Sequence, residues 1–293
     1  MTITISNDLV DRIVEPGSLV DSIRSVLTSD AVETIRSHLE YKGTWFGLMP
    51  AAGNGFISVK LVGVYPENPS RGMPLVRGKL LLFNASTGEL VLVADAEAPT
   101  GWRTAAASAL ALEVMDFRGG GNLGVIGSGT QATYHLRVLT SLYNFDEIYV
   151  YSRNKERAAN LASMYNGAYT SLQELLSKSD VIVAATNSRE PVVRRGFVRM
   201  DSIIISVGAP KPVREIDDEL VKRASCILVD TPMVLQESGD VRQGLVEESK
   251  VITLRDAISR NGKCIEKGVR LYKSVGTPIL DLAMALYLWE RVA

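Results

Sequence analysis

Residues 121–153 read GNLGVIGSGTQATYHLRVLTSLYNFDEIYVYSR, and their order decides the fold. An apolar run, Leu123 to Ile126, meets the turn Gly127-Ser128-Gly129-Thr130-Gln131-Ala132, a G-x-G-x-x-A pattern. A helical spacing follows, with Ala132, Leu136 and Leu139 on one side, and then a second apolar run from Ile148 to Tyr151. Strand, glycine turn, helix and second strand at this distance describe a dinucleotide-binding unit. Gly127 permits a tight turn, Gly129 lets backbone N–H groups approach a pyrophosphate at the helix N-terminus, and Ala132 allows the helix to lie close to the strand. The alternative is a tight turn of purely structural use.

Outward from this unit the chain keeps alternating. Strand-like runs at Val181–Ala184, Ile203–Val207 and Ile227–Val229 are interleaved with helical or loop stretches, and Ser171 with Glu174 forms a capping-box pattern. Such alternation predicts an α/β fold with a doubly wound parallel sheet. Upstream the period changes. FISVKLVGVY, KLLLFNA and ELVLVAD read as strands joined by PENPSRGMP and NASTGE turns, a sheet-rich segment without α/β alternation. The small-residue helix Thr104–Met115 then leads to Gly119-Gly120-Gly121, where a domain boundary is expected. ILDLAMALYLWERV near the C-terminus is a strongly apolar helix beyond the sheet's complement of strands, so it is expected to return to the N-terminal domain. The expected division is therefore 1–117 with 275–293, and 118–274.

With 293 residues, 46% hydrophobic and 22% charged, the composition is that of an ordinary globular protein with room for two cores. A net charge of −1 offers no general attraction to nucleic acid or to an anionic membrane. Two cysteines are too few for a disulfide framework, and Cys226 in ASCILVD reads as a buried thiol. Two histidines, His38 and His135, make a His-based triad or a zinc site improbable, and no metal site is expected. MTITISNDLVDRI lacks the basic and apolar regions of a signal peptide, so a cytoplasmic protein is expected.

The end of the second strand discriminates between cofactors. NAD sites usually carry an acid there, but this chain reads Tyr151-Ser152-Arg153-Asn154. A hydroxyl and a guanidinium suit a 2′-phosphate, so NADP(H) is favoured, with NAD(H) as the alternative. The competing view makes Arg153 a solvated surface residue. Three cations in the first domain, Arg36, Lys60 and Arg103, are too far apart in sequence to be joined by spacing, and each alone reads as a solvated side chain.

Met49-Pro50 with Lys60, Val64 to Asn68, Thr100 to Ser108 (TGWRTAAAS), the glycine turn, Val207-Gly208-Ala209 before Glu215-Ile216-Asp217, Glu237 to Val241 and Ser274-Val275-Gly276 occur in one series. With them the chain resembles the ornithine cyclodeaminase/mu-crystallin family along nearly its whole length. The resemblance implies a Rossmann domain plus a sheet-rich α+β substrate and dimerisation domain built from both termini, hence a homodimer. It implies that Arg36 and Arg103 hold the carboxylate of a small imino or amino acid, with Lys60 beside them for proton transfer. Cofactor contacts are implied at Gly127, Ser128, Gly129, Thr130, Gln131, Ser152, Arg153, Asn154, Thr186, Val207, Ser274 and Gly276. Cyclodeaminases and alanine dehydrogenases of the family carry an acid at the position of Pro210, which has no proton to exchange. The mu-crystallin type also lacks it, so the resemblance implies reduction of a cyclic ketimine ahead of ornithine cyclodeamination, alanine dehydrogenation or mere binding of NADPH. Glu97 and Asp240 are the candidate replacements for that acid.

Overall fold

The computed structural model describes residues 1–208, 211–259 and 264–293. The chain divides into two compact units, Met1–Ala106 with Thr277–Ala293, and Ala107–Gly276. The division falls inside the helix Glu97–Val114, ahead of the glycine run where the sequence places it. Nearly every residue from Trp102 to Leu112 of that helix is buried, so burial runs continuously through this stretch and stops short of the glycines.

The first unit holds seven strands: β1 (Ile3–Ile5), β2 (Val32–Glu33), β3 (Ser37–Tyr41), β4 (Thr44–Gly53), β5 (Phe56–Val64), β6 (Val76–Asn84) and β7 (Leu90–Asp95). They run in the order β1-β7-β6-β5-β4-β2, with β3 also on β4; β1 is parallel to β7 and the other pairs are antiparallel. The helix Pro278–Val292 lies against β4, β5 and β6 and against the helix Pro16–Thr28. Its residues from Pro278 to Leu288 are all buried, as an apolar surface on every side requires. One sheet face supplies Met49, Ala51, Leu80, Leu82, Leu92 and Ala94 to this core. Strand alternation puts Ser58 and Lys60 on that inward face too.

Among the described residues, the second unit holds a fully parallel sheet of eight strands: β8 (Asn122–Ile126), β9 (Glu147–Tyr151), β10 (Ala168–Tyr169), β11 (Val181–Ala184), β12 (Ile203–Ser206), β13 (Cys226–Val229), β14 (Val251–Thr253) and β15 (Arg270–Lys273). Their order is β10-β9-β8-β11-β12-β15-β13-β14. Strands β11, β12 and β13 are buried at every residue, the mark of a parallel sheet covered on both faces. The chain winds outward from β8 through β9 to β10, then returns to β11 on the other side, so the sheet reverses direction between β8 and β11. Ligands of doubly wound sheets bind at the carboxyl ends of the strands beside such a reversal.

Two local expectations are corrected. Cys226 is buried but is not a thiol: it is disulfide-bonded to Cys264, with Cα atoms 5.7 Å apart. They stand 38 residues apart in sequence, so no local pattern reveals the pairing. Ser171 does cap its helix by accepting from the Glu174 N–H, but the Glu174 carboxylate turns to Thr170 and Lys178, so the capping box is half formed. Among the described residues, no helix is long and apolar enough to cross a membrane.

Candidate functional site

In the first unit, Lys60 on β5 and Arg103 on the helix Glu97–Val114 both reach one carboxylate, that of Asp281 on the C-terminal helix. Lys60 Nζ lies 2.8 Å from Asp281 Oδ2 and 3.0 Å from Oδ1, and Arg103 Nε donates to Oδ1 at 3.0 Å. All three side chains are at most 5% exposed. This overturns the view of Lys60 and Arg103 as solvated cations. Burial pushes the Lys60 ammonium down to about 8 from its ordinary 10.5; Asp281 opposes that shift, and the charges of Arg103 and Arg36 add to it. Arg36 is half-buried between β2 and β3, and its charge acts on Lys60. The three cations that sequence spacing could not join thus share one electrostatic environment.

Two buried cations against one carboxylate leave the cluster with an excess positive charge. Buried charge of that kind is tolerated where an anion can complete it. Asp281 was missed by sequence reasoning, although a lone acid in ILDLAMALYLW is itself a signal: a carboxylate on an apolar helix needs a buried cation. Of the two candidate replacements for an acid at 210, Glu97 accepts from Asn7 Nδ2 and the Gly78 N–H. Asp240 is bound to Lys273 in the second unit. Pro210 itself lies outside the described residues.

In the second unit, the twelve residues expected to touch a cofactor follow the carboxyl ends of five neighbouring strands, β9, β8, β11, β12 and β15. After β8, Gly127 has φ +126°, and a Cβ there would stand 2.4 Å from the Ala185 carbonyl oxygen. Only glycine fits. Gly129 caps the helix Thr130–Leu142 with no side-chain hydrogen bond, and a Cβ on it would meet nothing within 4 Å. The fold requires the first glycine; it leaves open space above the second, over an uncapped helix N-terminus. Gln131, one residue into that helix, has a buried Oε1 with no hydrogen-bond partner.

After β9, Ser152 Oγ lies 2.9 Å from Ser128 Oγ and donates to the Asn154 carbonyl at 2.7 Å, which joins the ends of β8 and β9. Arg153 is exposed, and Asn154 caps the helix Lys155–Ser163 through Arg157 N. After β11, the N–H and hydroxyl of Thr186 both donate to Glu215. After β12, Val207 N donates to Ala184 O. After β15, Ser274 Oγ and Gly276 N donate to Asp230 Oδ2 at 2.6 and 2.7 Å. β15 was not foreseen, and its place beside β12 brings Ser274 and Gly276 to this edge. A pyrophosphate fits the donors at Gly129 to Gln131, where open space, free backbone N–H groups and helix polarity coincide.

Residues 17–293 match the model of the ornithine cyclodeaminase/mu-crystallin family. The chain belongs to that family. Among its members, the rat ketimine reductase mu-crystallin is 31% identical over 266 residues, covering 88% of this chain and 84% of that protein. Among solved structures, Thermococcus litoralis Δ1-pyrroline-2-carboxylate reductase in complex with NADH and L-proline superposes with a TM-score of 0.91 at 27% identity, covering 99% of this chain and 97% of the other. An archaeal alanine dehydrogenase dimer with bound NAD gives a TM-score of 0.91 at 25% identity, covering 99% and 95%. These family members share both units, so the match extends well beyond the glycine turn.

Proposed function

We propose that the chain is an NADP(H)-dependent reductase of cyclic imino acids such as Δ1-pyrroline-2-carboxylate, with NAD(H) as the alternative cofactor. The buried Lys60–Asp281–Arg103 cluster carries the reading. Its excess positive charge suits a substrate carboxylate, the group that the name of the similar Thermococcus litoralis Δ1-pyrroline-2-carboxylate reductase gives its substrate. Arg103 and Arg36 would hold the carboxylate, since guanidinium pairing fixes orientation as well as position.

When bound, the reduced nicotinamide supplies a hydride to the imine carbon. The nitrogen then needs one proton to complete the amine. Lys60 is suited to deliver it, because an ammonium whose pKa is about 8 gives up a proton more readily than an ordinary lysine. Ser152 and Arg153 would receive the 2′-phosphate of NADP(H), with no acid at the end of β9 to repel it. A homodimer is supported by the apolar side chains Val32, Ile35, Leu39, Tyr41, Ile57 and Val76, all exposed in the first unit, and by β3, exposed along its whole length. A cytoplasmic location goes with this reading. Ornithine cyclodeamination ranks second, because position 210 holds a proline where that chemistry calls for an acid.

The test is oxidation of NADPH, then of NADH, by the purified protein with Δ1-pyrroline-2-carboxylate and its six-membered homologue. Demonstrated cofactor binding with no oxidation by either ketimine overturns the reading. Conversion of ornithine to proline without added reductant would establish the cyclodeaminase instead.

A further inference from the structure

A buried ionic network underlies the carboxyl ends of β11 and β12, and the proposed reaction does not use it. Its centre is Glu215, which is fully buried. Oε1 accepts from Thr186 N at 2.6 Å and Thr186 Oγ1 at 2.9 Å, while Oε2 accepts from Ser206 Oγ at 2.7 Å and Gly208 N at 2.8 Å. One carboxylate therefore ties together the turns that leave two adjacent strands. Asp240 fixes Glu215 in turn by accepting from its N–H at 2.7 Å and from Ile216 N at 3.0 Å. Lys273 completes the network, 3.0 Å from Asp240 Oδ2, donating to Ser206 Oγ and to the Gly208 carbonyl.

The glycine at 208 exists to admit this carboxylate. A Cβ there would meet Glu215 Cδ at 2.6 Å and Oε2 at 2.7 Å. Burial pushes the Glu215 carboxyl above its ordinary value, against the pull of Lys273 and the donors around it. Four donors converging on two oxygens match the ionised form, which accepts and does not donate.

The position of the network says what it serves. The turn after β8 takes the pyrophosphate, and the end of β9 takes the adenosine ribose. The ends of β11 and β12 lie on the opposite side of β8 from β9, so they face the nicotinamide half. The adenosine side is held by neutral groups: Gly127 N to Tyr151 O, and Ser128 to Ser152. The nicotinamide side is held by buried carboxylates, Glu215 after β11 and β12 and Asp230 after β15. We propose that Glu215 is a positioning residue for the nicotinamide half of the cofactor, holding Thr186 and Val207-Gly208 in the arrangement that half needs. The inference rests on the reading of this edge as a nicotinamide dinucleotide site.

Glu215→Gln keeps the shape but turns an N–H₂ group toward donors. Titration of wild type and variant with NADPH and with 2′,5′-ADP, followed by nicotinamide fluorescence and by calorimetry, separates the two halves of the site. The expected result is NADPH binding weakened about tenfold, as for one lost charge-assisted hydrogen bond, with 2′,5′-ADP affinity unchanged. Equal weakening of both ligands marks a general structural role and overturns the inference, as does no change in either. Should Glu215→Gln fail to fold, Ser206→Ala decides by the same comparison, with a smaller loss for NADPH alone expected. If wild type binds 2′,5′-ADP poorly because it prefers NADH, the pair becomes NADH and AMP. A wild type that binds neither dinucleotide overturns the cofactor reading and this inference with it, whereas normal binding by both variants overturns the inference alone.

Discussion

Lys60 and Asp281 come from opposite ends of the chain and meet in the core of the first unit, Nζ to Oδ2 at 2.8 Å, with side chains 4% and 2% exposed. The ammonium is kept charged by this partner and made acidic by burial and by Arg103 and Arg36. If Lys60 supplies the proton in imine reduction, kcat/KM falls as the pH rises through about 8, because the acid form is lost there. Lys60→Met is expected to lose roughly 10²–10⁴-fold in kcat and to show no limb near that pH. Steady-state rates between pH 6 and 10 check this (a range of about four units around the lysine value). An unaltered limb in Lys60→Met would assign the titration to another group.

Removing the carboxylate has two separable effects. Asp281→Asn leaves two buried cations without a counter-charge, which costs about 3–5 kcal/mol of stability when a buried pair is broken. It also removes the influence that raises the Lys60 pKa, so the alkaline limb of kcat/KM moves to lower pH. Denaturant unfolding reads the first effect and the pH profile of whatever activity survives reads the second. A stable variant with an unmoved limb would show that Asp281 does not govern Lys60.

Much of this architecture is legible in the sequence because it depends on local pattern. The glycine turn, the alternating apolar runs of β8, β9, β11 and β12, and the strands β5 to β7 all declare themselves within a few residues. What escapes depends on distant partners. β15 is four residues, RLYK, two of them cationic, and becomes a central strand only because the sheet admits it between β12 and β13. β4 contains Pro50, which argues against a strand until its pairing with β5 is seen. Lys60 looks solvated until Asp281, 221 residues away, is brought to it. The same holds for Cys226 and Cys264, bonded across 38 residues of sequence.

His135 makes an acid-sensitive contact in the second unit. Its ring is fully buried, with Nε2 2.9 Å from Ser108 Oγ and Nδ1 2.7 Å from the Gln131 carbonyl, so the neutral ring donates to Gln131 and accepts from Ser108. Burial pushes its pKa down to about 4 from 6.5, partly offset by the Gln131 carbonyl. The unfolded chain therefore binds a proton that the folded chain refuses. Stability contributed by the neutral ring is present above pH 6.5 and lost as the pH falls toward 4, on the order of 3 kcal/mol. Urea unfolding of wild type and His135→Asn across that window isolates the effect, and parallel curves for the two proteins would refute it.

The proposed preference for NADP(H) rests on Arg153, exposed at the end of β9. Arg153→Ala is expected to weaken NADPH binding about tenfold or more and to leave NADH nearly unchanged, since only NADPH carries the 2′-phosphate that a guanidinium would pair with. Fluorescence titration with both dinucleotides makes the comparison. Equal affinity of wild type and variant for NADPH would return the preference to NAD(H).

The two glycines of the turn allow fold and ligand to be pulled apart. Gly127 sits at φ +126° with the Ala185 carbonyl 2.4 Å from where a Cβ would go, so Gly127→Ala strains the backbone at the junction of β8 and β11. It should lower the melting temperature with or without cofactor, because the forbidden φ alone costs on the order of 1–3 kcal/mol of stability. Gly129 has an ordinary negative φ of −97° and open space over its Cα. Gly129→Ala should leave the stability of the free protein unchanged within about 1 kcal/mol, and its melting temperature with it, because nothing in the protein meets the added methyl. A pyrophosphate drawn to the uncapped N–H groups would meet it, so the loss must appear as weaker NADPH binding and a smaller cofactor-induced rise in melting temperature. If the two variants behave alike, both losing stability in the free protein, then the second glycine serves the turn itself and the open space above it is not where the pyrophosphate lies.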